Sequence, residues 1–447
     1  MHDPAAPETL VTIDDVLAAE RRLEGIIRKT PTRFADSLSR ALGRSIYLKP
    51  EHLQRAGSFK IRGAYNRISQ LPEGVEVVAA SAGNHAQGVA LASSLTGRRS
   101  TIFMPDTASL PKLRATEGYG ATVIPGGPTL DDCLGLAREF AEDNGAVFVP
   151  PFNDPLIIAG QATAGLEIAE EYRQCRAAGN NGNGNGNNDN RNNDKRNNGN
   201  GNGSSNNGDH VHSDEPPVIL IPVGGGGLLA GAAFALRHVM PDATIIGVEA
   251  AGAASMRRSL DAGAVTTLAT ISTMADGIAL RAPGDITFAM TRDLVDDVIT
   301  VTEDEIAEAV LLLMERAKAV VEPSGAVGLA ALMAGKVPGR QPAIVVLSGG
   351  NVDPMLLTHI VTRGLSAAGR YLRLRIVFPD RPGSLAALTA VVAKLGLNVL
   401  DVEHHRTGVQ IGVDEVEVLL VVETRNPEHR NDVITALHAE GFEAQLL

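Results

Sequence analysis

Apolar and polar positions fall into alternating blocks along most of this chain. The runs 76–80, 101–104, 121–124, 146–150, 218–221, 244–248 and 343–347 are almost wholly apolar and four or five residues long, as strands buried on both faces require. Between them apolar residues recur at helical spacing. Residues 12–28 carry Ile13, Val16, Leu17, Leu23, Ile26 and Ile27 behind Thr12, a capping residue. Residues 84–95, 111–119, 130–144, 158–172 and 302–318 read likewise as helices. Strand–helix alternation predicts an α/β unit whose parallel sheets are covered on both faces, with ligands held at the carboxyl ends of strands.

From Tyr371 the order changes. Strands at 372–378, 398–405, 415–423 and 442–446 and helices at 384–395 and 427–440 follow the order βαββαβ, the ferredoxin-like α+β arrangement. The pattern predicts a catalytic-size domain over 1–365, a linker at 366–370 and a small domain over 371–447. Inside the first domain the composition turns abruptly to Asn, Gly, Asp and Lys from about Ala177 to about Pro216. Such a segment cannot bury a core and is expected to be a disordered insertion in a surface loop.

Composition narrows the class. The chain has 447 residues, 44% hydrophobic, with a formal net charge of −12, and no basic cluster offsets that charge, which argues against nucleic acid as a partner. Cys133 and Cys175 lie in helical patterns, as in a reducing compartment, and no secretion signal opens the chain, so the expected location is the cytoplasm. Residues 218–236 are uncharged and long enough to raise the question of a membrane span. Pro222 and four consecutive glycines would break such a helix, so no membrane partner is expected.

Those glycines, Gly224, Gly225, Gly226 and Gly227, stand between the run 218–221 and an apolar helix opened by Leu228. Backbone N–H groups and the helix dipole there make a cup for an anion, most often a phosphate. The loop alone leaves two readings open. Gly225, Gly227 and Ala230 fit a dinucleotide fingerprint, with Glu249 as a ribose-binding acid; alternatively the phosphate belongs to a cofactor held elsewhere by its reactive group. Lys60, after Ser58 and Phe59, is either a solvated lysine or an amine with a lowered pKa that can form an imine. Ser81, Ala82, Gly83, Asn84 and His85 connect a strand end to a helix start: a simple cap, or a loop whose N–H groups hold a carboxylate. Ser348-Gly349-Gly350-Asn351 closes another strand. Phosphate cup, imine-forming lysine, carboxylate loop and a hydroxyl for a ring nitrogen form the set that pyridoxal phosphate needs, whereas a dehydrogenase leaves Lys60 and both Ser/Asn loops without roles.

At these positions the chain resembles the fold type II pyridoxal-phosphate enzymes (tryptophan synthase β-like), and within them the threonine dehydratases. The matching segments are Ser58-Phe59-Lys60-Ile61-Arg62-Gly63-Ala64, residues 81–88, Gly224 to Leu228, Glu322-Pro323-Ser324-Gly325-Ala326 and Ser348 to Asn351. The resemblance implies that Lys60 carries the cofactor, Phe59 lies beside it, Asn84 meets the 3-hydroxyl, Gly224, Gly225, Gly226, Gly227 and Leu228 hold the phosphate, and Ser348 meets the pyridine nitrogen. It implies a free amino acid bound at Ser81, Ala82, Gly83, Asn84 and His85, L-threonine giving 2-oxobutanoate and ammonia as the first step toward isoleucine, and L-serine giving pyruvate. The alternatives are a serine dehydratase or racemase of the same fold, an NAD-dependent oxidoreductase, and a non-catalytic amino-acid sensor. The related racemases carry a serine at the place of Ala82, so elimination is expected over racemisation. Ser255 replaces an acid of the family's divalent-metal site, so no metal is expected. Residues 371–447 resemble an ACT domain, which implies an isoleucine effector opposed by valine at the Asp380-Arg381-Pro382-Gly383 turn, and a homo-oligomer, dimer or tetramer.

Overall fold

The computed structural model describes residues 11–182, 215–406, 411–412 and 414–447. Two compact units emerge: Met1–Val301 with Val320–Asn351, and Thr302–Ala319 with Val352–Leu447. The first holds two sheets. Six strands lie in the order Arg33–Phe34, Ile46–Lys49, Ala343–Val346, Val218–Pro222, Thr244–Ala250, Asp297–Val301, all parallel except the two-residue edge strand. Four more, Thr122–Pro125, Ser100–Met104, Val77–Ala80 and Val147–Phe148, form a second, parallel sheet. Val77–Ala80, Val218–Pro222 and Ala343–Val346 are buried at every position, because helices cover both sheet faces.

Local rules explain most helix limits. Thr12 and Asp15 form a reciprocal capping box at the start of Ile13–Leu23. That helix stops short of the expected Arg28, since Gly25 takes a left-handed φ of 72° and turns the chain. Helices Asn84–Leu95 and Leu130–Asn144 have the expected limits. The helix expected at 158–172 runs from Pro155 to Gly182, past the point where the composition changes. Extending an established helix adds one hydrogen bond per residue fixed, so the sequence signal placed the boundary too early. Residues 183–214, most of the expected insertion, lie outside the described residues.

A glycine pair sets the distance between two helices. A Cβ on Gly160 would stand 2.6 Å from Gly63 Cα and 2.7 Å from the Arg62 carbonyl oxygen. Helix Lys60–Ile68 can therefore lie backbone against backbone on Pro155–Gly182. That contact closes over a buried ionic network. The fully buried Arg62 guanidinium bonds both oxygens of buried Glu51 at 2.8 Å and both oxygens of Glu167 at 2.8 and 2.7 Å. Lys49, also buried, donates to Glu167 at 2.6 Å and Glu171 at 2.8 Å.

In the second unit an antiparallel sheet runs Val399–His405, Glu415–Glu423, Tyr371–Pro379, Glu443–Leu446. Its strands alternate as expected: Leu372, Leu374, Ile376 and Phe378 point inward with Val416, Val418, Leu420 and Val422. Helices Ser384–Lys394 and Pro427–Ala439 supply Leu388, Val391, Val392, Val433 and Leu437 to the same core. One expectation is corrected. Ser366 and Ala367, read as linker, close helix Pro354–Ala367, whose first N–H groups bond the Asp353 side chain. Its spaced apolar residues, Leu357, Ile360, Val361 and Leu365, carried the helical period that the small residues behind them obscured.

Candidate active site

Three strand ends converge. Ser81 follows Val77–Ala80, the glycines follow Val218–Pro222, and Ser348 stands two residues beyond Ala343–Val346. Parallel strands carry these loops to the same edge, and Lys60 arrives from the start of its own helix. A cavity of about 160 Å³ is lined by Lys60, Ser81, Ala82, Gly83, Asn84 and His85. A cleft sharing Lys60, Asn84 and Glu322 continues to Phe59, the four glycines, Leu228, Ser324 and Ser348. Every residue expected in the site therefore borders one of two adjoining spaces.

Neither helix start is capped by a side chain. Asn84–Leu95 begins after Gly83, and the Ser81 hydroxyl accepts instead from Gly83 N–H at 3.1 Å. That disposes of the simple-cap reading and leaves first-turn N–H groups facing the cavity. Helix Gly227–Val239 begins after Gly226, whose φ is 92°. A Cβ on Gly225 would meet the Phe152 ring at 2.3 Å, so this loop tolerates no side chain there.

Burial controls the charges. Lys60 is half-buried in the cavity wall, and burial pushes its ammonium down to about 8 against the pull of Glu322. Its Nζ donates to the Pro151 carbonyl at 3.0 Å and lies 5.3 Å from the Phe59 ring centre. The solvated-lysine reading thus fails. Burial, with Lys60 nearby, pushes His85 down to about 3; its Nε2 lies 2.9 Å from the Val149 carbonyl, which can only accept, so that nitrogen carries the proton. Phe59 N–H bonds the Ser348 carbonyl at 3.2 Å, tying the lysine's helix to the serine's loop.

Glu322 was quoted within a motif but given no role by sequence reasoning. It is buried in the cavity wall, where burial first and Asp276 second push its carboxyl up to about 7. It accepts from Asn84 Nδ2 at 2.7 Å, while Asn84 Oδ1 accepts from Asn351 Nδ2 at 2.8 Å. The orientation of Asn84 is thereby set. A clue was available: an acid embedded between Val320-Val321 and the apolar helix Pro323–Met333. Ser324 was missed in the same way; its hydroxyl is buried at the cleft without a partner among the described residues.

Glu249 is not placed to bind a ribose. Its fully buried carboxylate accepts from Met256 and Arg257 N–H, both at 2.8 Å, and so caps helix Ser255–Ala262. The dinucleotide reading loses its acid. Whether a pyridoxal phosphate fits can be judged from the site itself. A side-chain-free N–H loop, a half-buried amine of lowered pKa and a buried hydroxyl without a partner among the described residues suit its phosphate, aldehyde and polar ring atoms respectively.

Fold and site together define a pyridoxal-phosphate enzyme with an appended small domain. Comparison agrees: the profile of pyridoxal-phosphate dependent enzymes matches residues 23–181 and 208–349, and that of the ACT domain matches 373–441. The chain belongs to the pyridoxal-phosphate dependent enzyme family and carries a C-terminal ACT domain. It is 39% identical over 442 residues to an L-threonine ammonia-lyase of Thermotoga maritima, covering 98% of this chain and 100% of that one. Among solved structures, a T.th. threonine deaminase superposes with a TM-score of 0.65 at 36% identity, covering 76% of this chain and 99% of the other. Maize serine racemase gives 0.66 at 31%, covering 80% and 98%. Among the described residues no helix is long and apolar enough to cross a membrane.

Proposed function

We propose that this chain is an L-threonine ammonia-lyase that converts L-threonine to 2-oxobutanoate and ammonia, and L-serine to pyruvate, under amino-acid control through its ACT domain. The observation that carries this reading is the half-buried Lys60, its ammonium pushed down to about 8 by burial, on one cavity with an uncapped helix start. Lys60 would carry the cofactor, Gly224 to Gly227 with Leu228 would hold its phosphate, and Asn84, Phe59 and Ser348 would fix its ring. When bound, pyridoxal phosphate would supply an electron sink for the charge left at the substrate Cα and an acidic phosphate near the β-hydroxyl.

The chain's own residues do the rest. N–H groups at 83–85, with Ser81, grip the substrate carboxylate and set Cα toward Nζ of Lys60. That amine takes the Cα proton, and an amine poised near neutrality is matched to the task. Asn84, held from both sides by Asn351 and Glu322, has one amide hydrogen left for the ring oxygen. Ser348 is neutral and cannot keep the ring nitrogen protonated as an aspartate would, so prompt loss of the β-hydroxyl is favoured over a long-lived carbanion. Ala82, bordering the cavity, has no proton to return to the opposite face, which favours elimination over racemisation.

Two features support assembly and location. The edge strand Val399–His405 leaves Val399, Leu400 and Val402 exposed, a surface suited to pairing with a second copy. Cys133 and Cys175 are both free, in keeping with a cytoplasmic homo-oligomer. The test is direct: the purified holoenzyme should absorb in the visible and release 2-oxobutanoate from L-threonine. A colourless protein that binds no pyridoxal phosphate sinks the reading.

A further inference from the structure

The two adjoining spaces at the active site share Lys60, Asn84, Pro151, Gly277, Leu280 and Glu322. Lys60 and Asn84 act in the mechanism, and Glu322 holds Asn84. Pro151 offers its carbonyl to Lys60 Nζ, and Gly277 has no side chain. Leu280 remains, the one branched alkyl side chain at the junction, and it has no part in the mechanism above. Its place decides what it can meet. With the substrate carboxylate on Ser81 to His85 and the cofactor phosphate on the glycines, the Cα that faces Lys60 lies where the two spaces join. The β-carbon is one bond further. Its hydroxyl must meet a proton donor in order to leave. The methyl group that distinguishes threonine from serine gains only from apolar surface.

The loop that carries Leu280 is pinned on both sides. Before it, the single turn Asp276–Ile278 packs on the wall of the site: a Cβ on Gly277 would stand 2.7 Å from Ser324 Oγ and 3.3 Å from Glu322 Oε1. Asp276 is ion-paired with Lys112 of helix Leu110–Gly118, which follows strand Ser100–Met104 of the other sheet. Leu280 N–H itself bonds the Ile278 carbonyl at 3.0 Å. After it, Arg281 and Leu268 exchange two bonds: Leu268 N–H donates to the Arg281 carbonyl at 2.7 Å, and Arg281 Nε donates to the Leu268 carbonyl at 3.0 Å. The backbone at half-buried Leu280 is therefore fixed before any substrate arrives, and a preformed apolar wall selects by size.

We infer that Leu280 is the residue that sets the preference for threonine over serine, its side chain receiving the threonine γ-methyl. The inference rests on the lyase reading above and names the wall that discriminates between its two substrates. Leu130, the other leucine of the substrate space, borders that space alone and is absent from the junction. A methyl contact made equally in the bound substrate and in the transition state acts through KM rather than kcat. One extra carbon in a fitted apolar pocket changes kcat/KM by about 10- to 200-fold. The same wall limits the other direction: a β-substituent longer than methyl meets Leu280 and is turned away.

Steady-state kinetics of the full-length holoenzyme test this with L-threonine, L-serine and L-3-hydroxynorvaline, which carries an ethyl group where threonine carries methyl. In Leu280→Ala the threonine-to-serine ratio of kcat/KM should fall about tenfold or more, chiefly through the KM for threonine. The hydroxynorvaline-to-threonine ratio should rise by about the same factor, because the truncated wall admits the extra carbon. A merely structural role for Leu280 would lower all three substrates together and leave both ratios in place. Leu280→Val removes one carbon and should move both ratios the same way by about threefold or more, so the test stands even where the alanine variant fails to fold. Ratios within about twofold of wild type in the folded variants overturn the inference, as does Leu130→Ala moving them as far as Leu280→Ala. If the unaltered holoenzyme deaminates neither threonine nor serine, the lyase reading falls and takes this inference with it.

Discussion

At the scale of single residues, the chemistry turns on two ionisable groups, half-buried Lys60 and buried Glu322, that ordinary solvation would keep fully charged. Lys60→Ala removes the cofactor-bearing amine and the base together. It should abolish threonine turnover and the visible absorption, while the melting temperature of the cofactor-free protein stays within a few degrees. Glu322 makes a second prediction. Its folded pKa, about 7, lies above the ordinary 4.5, so the folded state binds more protons than the unfolded one between those values. The stability tied to that proton is present below pH 4.5 and is lost as pH rises through 7. Glu322→Gln keeps an oxygen for Asn84 but cannot ionise. Against this variant, the cofactor-free wild type should lose on the order of 3 kcal/mol between pH 4.5 and pH 7.5 in denaturant titrations. Parallel curves would show that Glu322 titrates normally. The lysine was legible in the sequence because Ser58-Phe59-Lys60 sits in a motif. Glu322 was not, because its significance lies in being enclosed with Asn84, which is 238 residues away along the chain.

At the scale of elements, helix Lys60–Ile68 is held by a contact that excludes side chains and by a network that fills the space beyond. Arg62→Met removes the centre of that network and leaves Glu51, fully buried, without its bidentate partner. Breaking a buried pair from one side costs about 3–5 kcal/mol. We expect that loss in chemical denaturation, with Arg62→Lys recovering only part of it because an ammonium cannot span both carboxylates. A loss under 1 kcal/mol for Arg62→Met would mean water solvates Glu51 adequately. Gly225→Ala tests the loop in another way. Its methyl would overlap the Phe152 ring, so affinity for pyridoxal phosphate, followed by absorbance, should drop at least tenfold with little change in melting temperature. Strand and helix identities were readable from periodicity. Some limits were not, as Gly25, Gly182 and Ala367 show, because a helix ends where its hydrogen bonds lose partners rather than where composition changes.

At the scale of the whole molecule, the compositionally biased segment offers a further test. Helix Pro155–Gly182 and strand Val218–Pro222 bracket residues 183–214. Replacing those with about eight Gly/Ser residues is two halvings of loop length, worth roughly 1.2 kcal/mol in favour of the fold. Melting temperature should hold or rise slightly and turnover should be unchanged. A clear fall in either would assign the segment a role in assembly. Taken alone, the sequence determined the α/β fold with its C-terminal α+β sheet, most of the elements and the residues that come to border the two adjoining spaces, because periodicity, glycine and motif spacing act locally and survive in one dimension. Only the tertiary structure decided what Glu249 does, that Glu322 and Asn351 hold Asn84 between them, and that Leu280 stands where the two adjoining spaces meet. Each depends on side chains from distant segments being shut away from water together. Burial is a property of the folded surroundings, and neither a residue's type nor its neighbours in sequence carry it.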